Sequence, residues 1–211
     1  MHNPAGTRAR VRLGATLAGI LPGTVYGALA ATLPEVAHLA LLVSVPAGAL
    51  FGTLLAVGLA HVFGRRTLSV LSGLLVCAGA VCPLVPLAFL GVVLGGALAG
   101  TGAGMICVTT SLLSGELSAT NRETPATDIT SYFPLGVGAL LVIVVVGDAL
   151  AVPPATTAWS VVAALSVVVS AVHLTMPESP AWLACHRSIE DAHACLVRMY
   201  GTLEAGLELD W

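Results

Sequence analysis

Residues 39–66 read LALLVSVPAGALFGTLLAVGLAHVFGRR, and this stretch decides the fold. It contains no Asp, Glu, Lys or Arg before Arg65 and Arg66, and it exceeds the length of about 20 apolar residues that a helix needs to cross a bilayer. A guanidinium is costly in hydrocarbon, so the paired arginines stop the apolar run at the membrane surface. The stretch therefore predicts a transmembrane helix that ends close to Arg65.

The composition of the whole chain is that of a membrane protein. Of its 211 residues, 57% are hydrophobic and only 9% are charged, and the mean hydropathy is +0.97, well outside the usual range of soluble domains. The uncharged run from Thr67 to Gly115 is too long for one helix and is broken by Pro83 and Pro86, so it predicts two helices. Six spans result, at residues 13–33, 39–61, 68–85, 87–113, 129–147 and 156–174.

The positive charges of the chain follow the spacing of these spans. All of them are arginines, and they fall into four groups that are separated each time by two predicted spans. Because cytoplasmic loops carry an excess of positive residues, every group and both termini are predicted to be cytoplasmic. Basic residues strung along one membrane face do not form a nucleic-acid-binding patch, so no nucleic-acid partner is expected. The groups comprise Arg8, Arg10, Arg12, Arg65, Arg66, Arg122, Arg187 and Arg198.

The cysteines and histidines of the chain show no spacing that is typical of a metal site or a disulfide framework. No span or loop combines a nucleophile with a base, or carries a phosphate-binding loop. We therefore expect neither a metal nor a cofactor, and the sequence does not indicate an enzyme. The cysteines are predicted to be reduced small apolar residues, at positions Cys77, Cys82, Cys107, Cys185 and Cys195.

Three segments at the predicted cytoplasmic face form an ordered set of motifs. Residues 58–66 read GLAHVFGRR, residues 100–108 read GTGAGMICV and lead to Glu116 and Arg122, and residues 177–183 read PESPAWL. Together they resemble the sugar porter family of the major facilitator superfamily. Within that family, the amino-acid sequences of the second motif and of the amino-terminal segment are similar to those of the facilitated trehalose transporters of arthropods.

The resemblance implies an all-α membrane protein. Its six transmembrane helices correspond to the N-terminal half-bundle of a twelve-helix transporter, followed by a short cytoplasmic helix. The expected organisation is a cytoplasmic N-terminus at residues 1–12, a six-span bundle at 13–175 and a cytoplasmic segment at 176–211. The expected location is the plasma membrane.

The resemblance also implies two groups of functional residues. Ionic latches at the cytoplasmic face hold such carriers in the outward-open state, and the matching positions here are Arg65, Arg66, Glu116, Arg122 and Glu178. Polar side chains inside the spans are the candidates for a sugar-lining surface, because each is costly in lipid unless it has a partner. These candidate positions are Thr24, Tyr26, Thr109, Thr130 and Ser131.

Several residues depart from the family pattern. His61 stands where the first motif usually has Asp, Glu123 stands where a Gly is usual, and Thr130 replaces a sugar-contacting Gln. A Thr hydroxyl offers fewer hydrogen bonds than an amide, so the departure predicts weaker or different sugar binding. An alternative for each intramembrane Ser or Thr is a hydrogen bond back to a carbonyl of its own helix.

Two functions follow from these observations. The first is facilitative transport of a small sugar of the trehalose or hexose kind, with the chain as the N-terminal half or a truncated form of a sugar porter. Facilitated diffusion is preferred because no Asp or Glu lies deep within a predicted span. The second is a transport-inactive half-carrier that acts as a partner or regulator of complete transporters. Either function requires the lipid bilayer, and alternating access requires a second six-helix half or a homodimer.

Overall fold

The computed structural model describes residues 4–34, 39–85, 88–118 and 129–200. All regular secondary structure within these ranges is helical, which confirms the predicted all-α fold. One-turn 3₁₀ helices at Cys82–Leu84 and Ile129–Tyr132 extend α3 and precede α5. The α-helices are α1 Pro4–Thr32, α2 Leu39–Phe63, α3 Arg65–Val81, α4 Ala88–Ser118, α5 Phe133–Ala149, α6 Pro154–Leu174, α7 Pro180–His186 and α8 Ile189–Tyr200.

The first six of these helices are apolar and follow the order of the six predicted spans. Five are long and apolar enough to cross a membrane, and α5 is a shorter apolar helix. The chain is therefore a multi-pass membrane protein. Where the sequence predicted one short helix after the spans, the structure has two, because α7 ends at His186 and α8 begins at Ile189.

Helices α2 and α4 pack through glycines with their backbones nearly in contact. A Cβ atom added to Gly52 of α2 would overlap the carbonyl oxygen of Thr101, and one added to Gly104 of α4 would overlap that of Ala49. Small residues allow this approach in lipid, where helices associate through close van der Waals contact rather than by burying apolar surface from water. Gly52 and Gly104 are thus packing positions.

The core of the bundle lies where α1, α3, α4 and α6 meet. Trp159 of α6 is completely buried there, and its indole N–H donates a hydrogen bond of 3.0 Å to the hydroxyl of Thr32 at the end of α1. The outer face of α2 is apolar and exposed instead, with Leu50 and Leu54 each 65% exposed. An exposed apolar face suits a helix that is in contact with lipid or with another helical bundle.

The end of the bundle that contains Arg65, Arg66, Glu116 and Glu178 is called here the arginine end. The short helices α7 and α8 cover it. From α8, the Cys195 thiol packs in a small apolar cluster with Leu113 and Met176, and donates a hydrogen bond of 3.3 Å to the Glu178 carbonyl oxygen. Burial raises the pKa of the Cys195 thiol to about 11. The thiol is therefore protonated at neutral pH.

Two glycines of α2 provide a matched test of the close packing. Replacing Gly52 with Ala should lower the free energy of unfolding by about 2 kcal/mol, because the added methyl group meets backbone that cannot move aside. Replacing Gly58 with Ala should raise it slightly, since nothing lies within 4 Å of that position and Ala favours helix. Thermal unfolding of both variants in detergent is the measurement. Equal effects would contradict the proposed contact between α2 and α4.

The two cysteines of the terminal segment provide a test of how α8 docks. At pH 8, N-ethylmaleimide should label the exposed Cys185 and leave the buried, protonated Cys195 unmodified. Peptide mapping by mass spectrometry distinguishes the two sites, and labelling in denaturing detergent gives the maximum for each. If Cys195 reacts as fast as Cys185 in the folded protein, α8 is not packed on the bundle.

Candidate functional site

The turn between α2 and α3 depends on Gly64. Its backbone has φ 78° and ψ 157°, a conformation that residues with a Cβ rarely adopt. A Cβ at this position would also lie 2.8 Å from a carboxylate oxygen of Glu178. Gly64 is therefore required by its backbone angle, and any larger residue would also displace the Glu178 carboxylate.

Glu178 caps the N-terminus of α3. One of its carboxylate oxygens accepts hydrogen bonds from the backbone N–H groups of Arg66 at 2.9 Å and of Ser179 at 3.1 Å. The first N–H groups of a helix have no partner within the helix and carry partial positive charge, so a carboxylate is favourable there. Residues 177–180, which read PESP, are therefore hydrogen-bonded to the start of α3, although the two segments are far apart in sequence.

Arg65 and Glu116 form the ion pair of the arginine end. The Arg65 Nη2 atom lies 2.8 Å from a Glu116 carboxylate oxygen, and the side chains are only 11% and 22% exposed. The Ser179 hydroxyl donates a hydrogen bond to the other carboxylate oxygen. Arg65 also donates to the carbonyl oxygen of Ala60, near the end of α2, at 3.4 Å. Within residues 4–34, 39–85, 88–118 and 129–200, the contact between Arg65 and Glu116 is the one ion pair.

Arg66 connects α3 to α6. Its guanidinium donates a hydrogen bond to the carbonyl oxygen of Leu174, the last residue of α6. Carbonyl groups at a helix C-terminus lack internal partners and carry partial negative charge, so a cation is stabilising there. The two consecutive arginines therefore hold the ends of α2, α4 and α6 together with the segment that precedes α7.

The expected latch residues divide into those that the structure brings together and one that it does not describe. Arg65, Arg66, Glu116 and Glu178 form a single connected cluster. Arg122 lies outside the described residues.

Two members of this cluster were not identified from the sequence. The first is Ser179, whose hydroxyl donates a hydrogen bond to the Glu116 carboxylate. Ser179 is also the N-cap of α7, and its hydroxyl oxygen accepts a hydrogen bond from the backbone N–H of Trp182. A Ser directly before a helix-starting Pro is a recognisable N-cap signal. The second is Trp182, whose indole N–H donates to the carbonyl oxygen of His61 at 3.0 Å and so satisfies a group near the end of α2.

The expected sugar-lining residues occupy different environments. Thr24 and Thr109 are buried, and their hydroxyls donate to carbonyl oxygens of their own helices, at Leu21 and Met105. Thr109 also accepts a hydrogen bond from Ser69 of α3. These two hydroxyls therefore hydrogen-bond within the bundle and are not exposed to a cavity.

The remaining expected sugar-lining residues lie nearer the surface of α1 and α5. Tyr26 is half-buried, and its ring packs edge-on against Phe133 at a centroid distance of 5.5 Å. Ser131, in the 3₁₀ turn before α5, is exposed. The backbone of Thr130 belongs to the same turn, and its side chain is outside the described residues.

Among the described residues, no group of three or more His, Cys, Asp or Glu is placed to hold a metal ion. The charged and polar groups of the arginine end bind one another and the ends of helices. The arrangement is therefore a hydrogen-bond network around one ion pair, and it connects the ends of several helices.

The fold of the chain is similar to that of solved transporter structures. A structure of the proton:xylose symporter XylE bound to 6-bromo-6-deoxy-D-glucose matches with a TM-score of 0.82 at 17% identity, over 98% of this chain and 52% of that chain. A partially occluded inward-open structure of the xylose transporter XylE from E. coli matches with a TM-score of 0.79 at 17% identity, over 96% of this chain and 57% of that chain. The chain thus spans about half the length of these structures. Comparison with curated proteins gives no match.

The arrangement of helices in the chain is similar to that in about half of each of these structures. Residues 13–210 match the family described as "Sugar (and other) transporter", and the chain belongs to this family. The family consists of transporters rather than enzymes.

The ion pair of the arginine end can be tested by removing one charge. Replacing Glu116 with Gln should lower the free energy of unfolding by about 2 kcal/mol, because Arg65 is then left mostly buried without a counter-charge. Replacing the exposed Glu190 in the first turn of α8 with Gln is the control and should lower the free energy of unfolding by only about 0.5 kcal/mol, the contribution of an exposed carboxylate at a helix N-terminus. A decrease for the Glu116 variant no larger than that for the Glu190 variant would show that the ion pair does not stabilise the bundle.

Proposed function

We propose that the chain is the N-terminal half of a facilitative carrier for a small sugar of the trehalose or hexose kind. It acts in the plasma membrane with both termini in the cytoplasm. The family and the fold support transport of a sugar by the complete carrier. The single observation that carries the proposal is the connected cluster of Arg65, Glu116, Ser179 and Glu178 at one end of the bundle.

The proposed role of this cluster is a latch. In a carrier of two six-helix halves, substrate passes when the halves rock about a site between them. A partly exposed ion pair can be broken and re-formed during such a cycle, because water replaces the lost hydrogen bonds. Arg65 and Glu116 have this intermediate burial. We propose that Arg66, Glu178 and Arg122 support the same latch, with Arg122 contributing from the segment after α4.

The proposed sugar surface centres on Tyr26 and on the turn before α5. Tyr26 has a phenolic hydroxyl on a ring that is held by Phe133, a combination that suits the apolar faces and hydroxyl groups of a sugar. Ser131 and Thr130 supply further hydroxyls from the adjoining turn. The hydroxyls of Thr24 and Thr109 donate to carbonyl oxygens of their own helices, so these two residues are not at the centre of the proposed surface.

The test is counterflow of radiolabelled trehalose and of radiolabelled glucose into proteoliposomes. These contain the chain alone, or the chain with a separately expressed C-terminal half of a sugar carrier. Replacing Tyr26 with Phe should lower uptake about tenfold, because the ring packing is kept and one hydrogen bond to substrate is lost. Replacing the exposed Ser160 of α6 with Ala is the control and should leave uptake unchanged.

Two results would count against this function. Uptake no greater than that of empty liposomes, in both preparations and with correctly inserted protein, would contradict sugar transport. Uptake that is equally affected by the Tyr26 and Ser160 variants would contradict the proposed sugar surface while leaving the transport function standing.

A second candidate function is a transport-inactive half-carrier that regulates complete transporters by binding to them. The observation that favours it is the internal use of the Thr24 and Thr109 hydroxyls, which leaves few polar groups for a substrate. Co-purification with complete sugar carriers from native membranes is the test. Failure to recover any such carrier would contradict the regulatory function.

A further inference from the structure

A cavity opens at the arginine end, separate from the proposed sugar surface. Its volume is about 780 Å³, and it lies between the beginnings of α1 and α3, the end of α6, and the helices α7 and α8. This volume falls within the range of pockets that hold small organic ligands. The latch cluster touches the cavity at Arg66 and Glu178, but most of its lining comes from other residues.

The lining of the cavity is strongly basic. Four arginines contribute to it from separate parts of the fold: Arg10, Arg66, Arg187 and Arg198. Two carboxylates also line it. That of Glu178 already accepts two backbone N–H groups, whereas Asp191 is exposed. None of the four arginines forms an ion pair with a carboxylate among the residues that the structure describes.

This arrangement favours an anionic ligand. Four guanidinium groups around one space repel one another, and an anion placed between them removes that repulsion. The planar guanidinium matches the oxygens of a phosphate group through paired hydrogen bonds. Arg66 also binds the terminal carbonyl of the membrane-spanning α6, so the cavity lies near the level at which the apolar helix ends.

We propose that this cavity is a binding site for a phosphate group, carried either by a lipid headgroup at the membrane surface or by a water-soluble phosphate ester. An occupant would join the start of α1 to α3 and to α8, and would hold the two terminal helices on the bundle. The site goes beyond sugar transport. Its test uses residues outside the proposed latch and sugar surface, so the two proposals can fail separately.

The experiment has two arms that distinguish the sources of the phosphate. In the first, the chain is purified in dodecyl maltoside free of phospholipid, and its thermal unfolding is followed with increasing glycerol 3-phosphate at constant ionic strength. In the second, dioleoyl phosphatidic acid is added to the micelles, and the retained lipid is counted by native mass spectrometry. A saturable rise in Tm in the first arm indicates a soluble ester. Saturable retention in the second arm alone indicates a lipid headgroup.

Two neighbouring arginines of α1 provide the matched variants. Arg10 lines the cavity and Arg12 does not, although both are exposed. Replacing Arg10 with Gln should weaken phosphate binding about tenfold through loss of a charge-assisted contact, and replacing Arg12 with Gln should leave it unchanged.

Two neighbouring carboxylates of α8 test the opposite effect. Asp191 lines the cavity, so replacing it with Asn should tighten phosphate binding. Glu190 does not line the cavity, so replacing it with Gln should leave phosphate binding unchanged. A gain in affinity cannot result from misfolding. No saturable binding in either arm, or equal losses for the Arg10 and Arg12 variants, would overturn the proposal.

Discussion

The contact between Arg65 and Glu116 is the interaction on which the arginine end depends, and it exists because Gly64 turns the chain sharply. With φ at 78°, the backbone leaves α2 and begins α3 within one residue, which places Arg65 and Arg66 on the first turn of α3. From there one arginine reaches the end of α4 and the other reaches the end of α6. A single turn thus sets the positions of three helix ends.

A second constraint comes from the bilayer. Apolar side chains gain nothing by contacting other apolar side chains instead of lipid, so close backbone contact and internal hydrogen bonds must hold the helices together. The glycines of α2 and α4 allow the close backbone contact. The hydrogen bond from Trp159 to Thr32 is an example of an internal hydrogen bond between helices. Polar contacts that link separate helices are concentrated at the arginine end, where water can reach the charged groups when they separate.

The sequence predicted the fold more fully than the site. Length and apolarity suffice to locate the spans, because each membrane helix satisfies its own backbone. Length and apolarity do not locate helix ends that depend on tertiary contacts. The third span was expected to begin at Leu68, but α3 begins at Arg65. Its first turn is capped by Glu178, which is distant in sequence. Likewise the motifs selected Arg65, Arg66, Glu116 and Glu178 as candidates, but they did not indicate that the Ser179 hydroxyl hydrogen-bonds to Glu116. Nor could they show whether the Thr24 and Thr109 hydroxyls point into the bundle or toward a cavity.

The stacking of Trp182 on His186 has a spectroscopic consequence. The two rings are 4.9 Å apart and nearly parallel at 9°, while the indole N–H is held by the end of α2. An imidazole stacked on an indole quenches the fluorescence of the indole. Because both rings belong to α7, the emission of Trp182 reports whether α7 is folded as a helix. The buried Trp159, far from this contact, provides an internal reference in the same polypeptide.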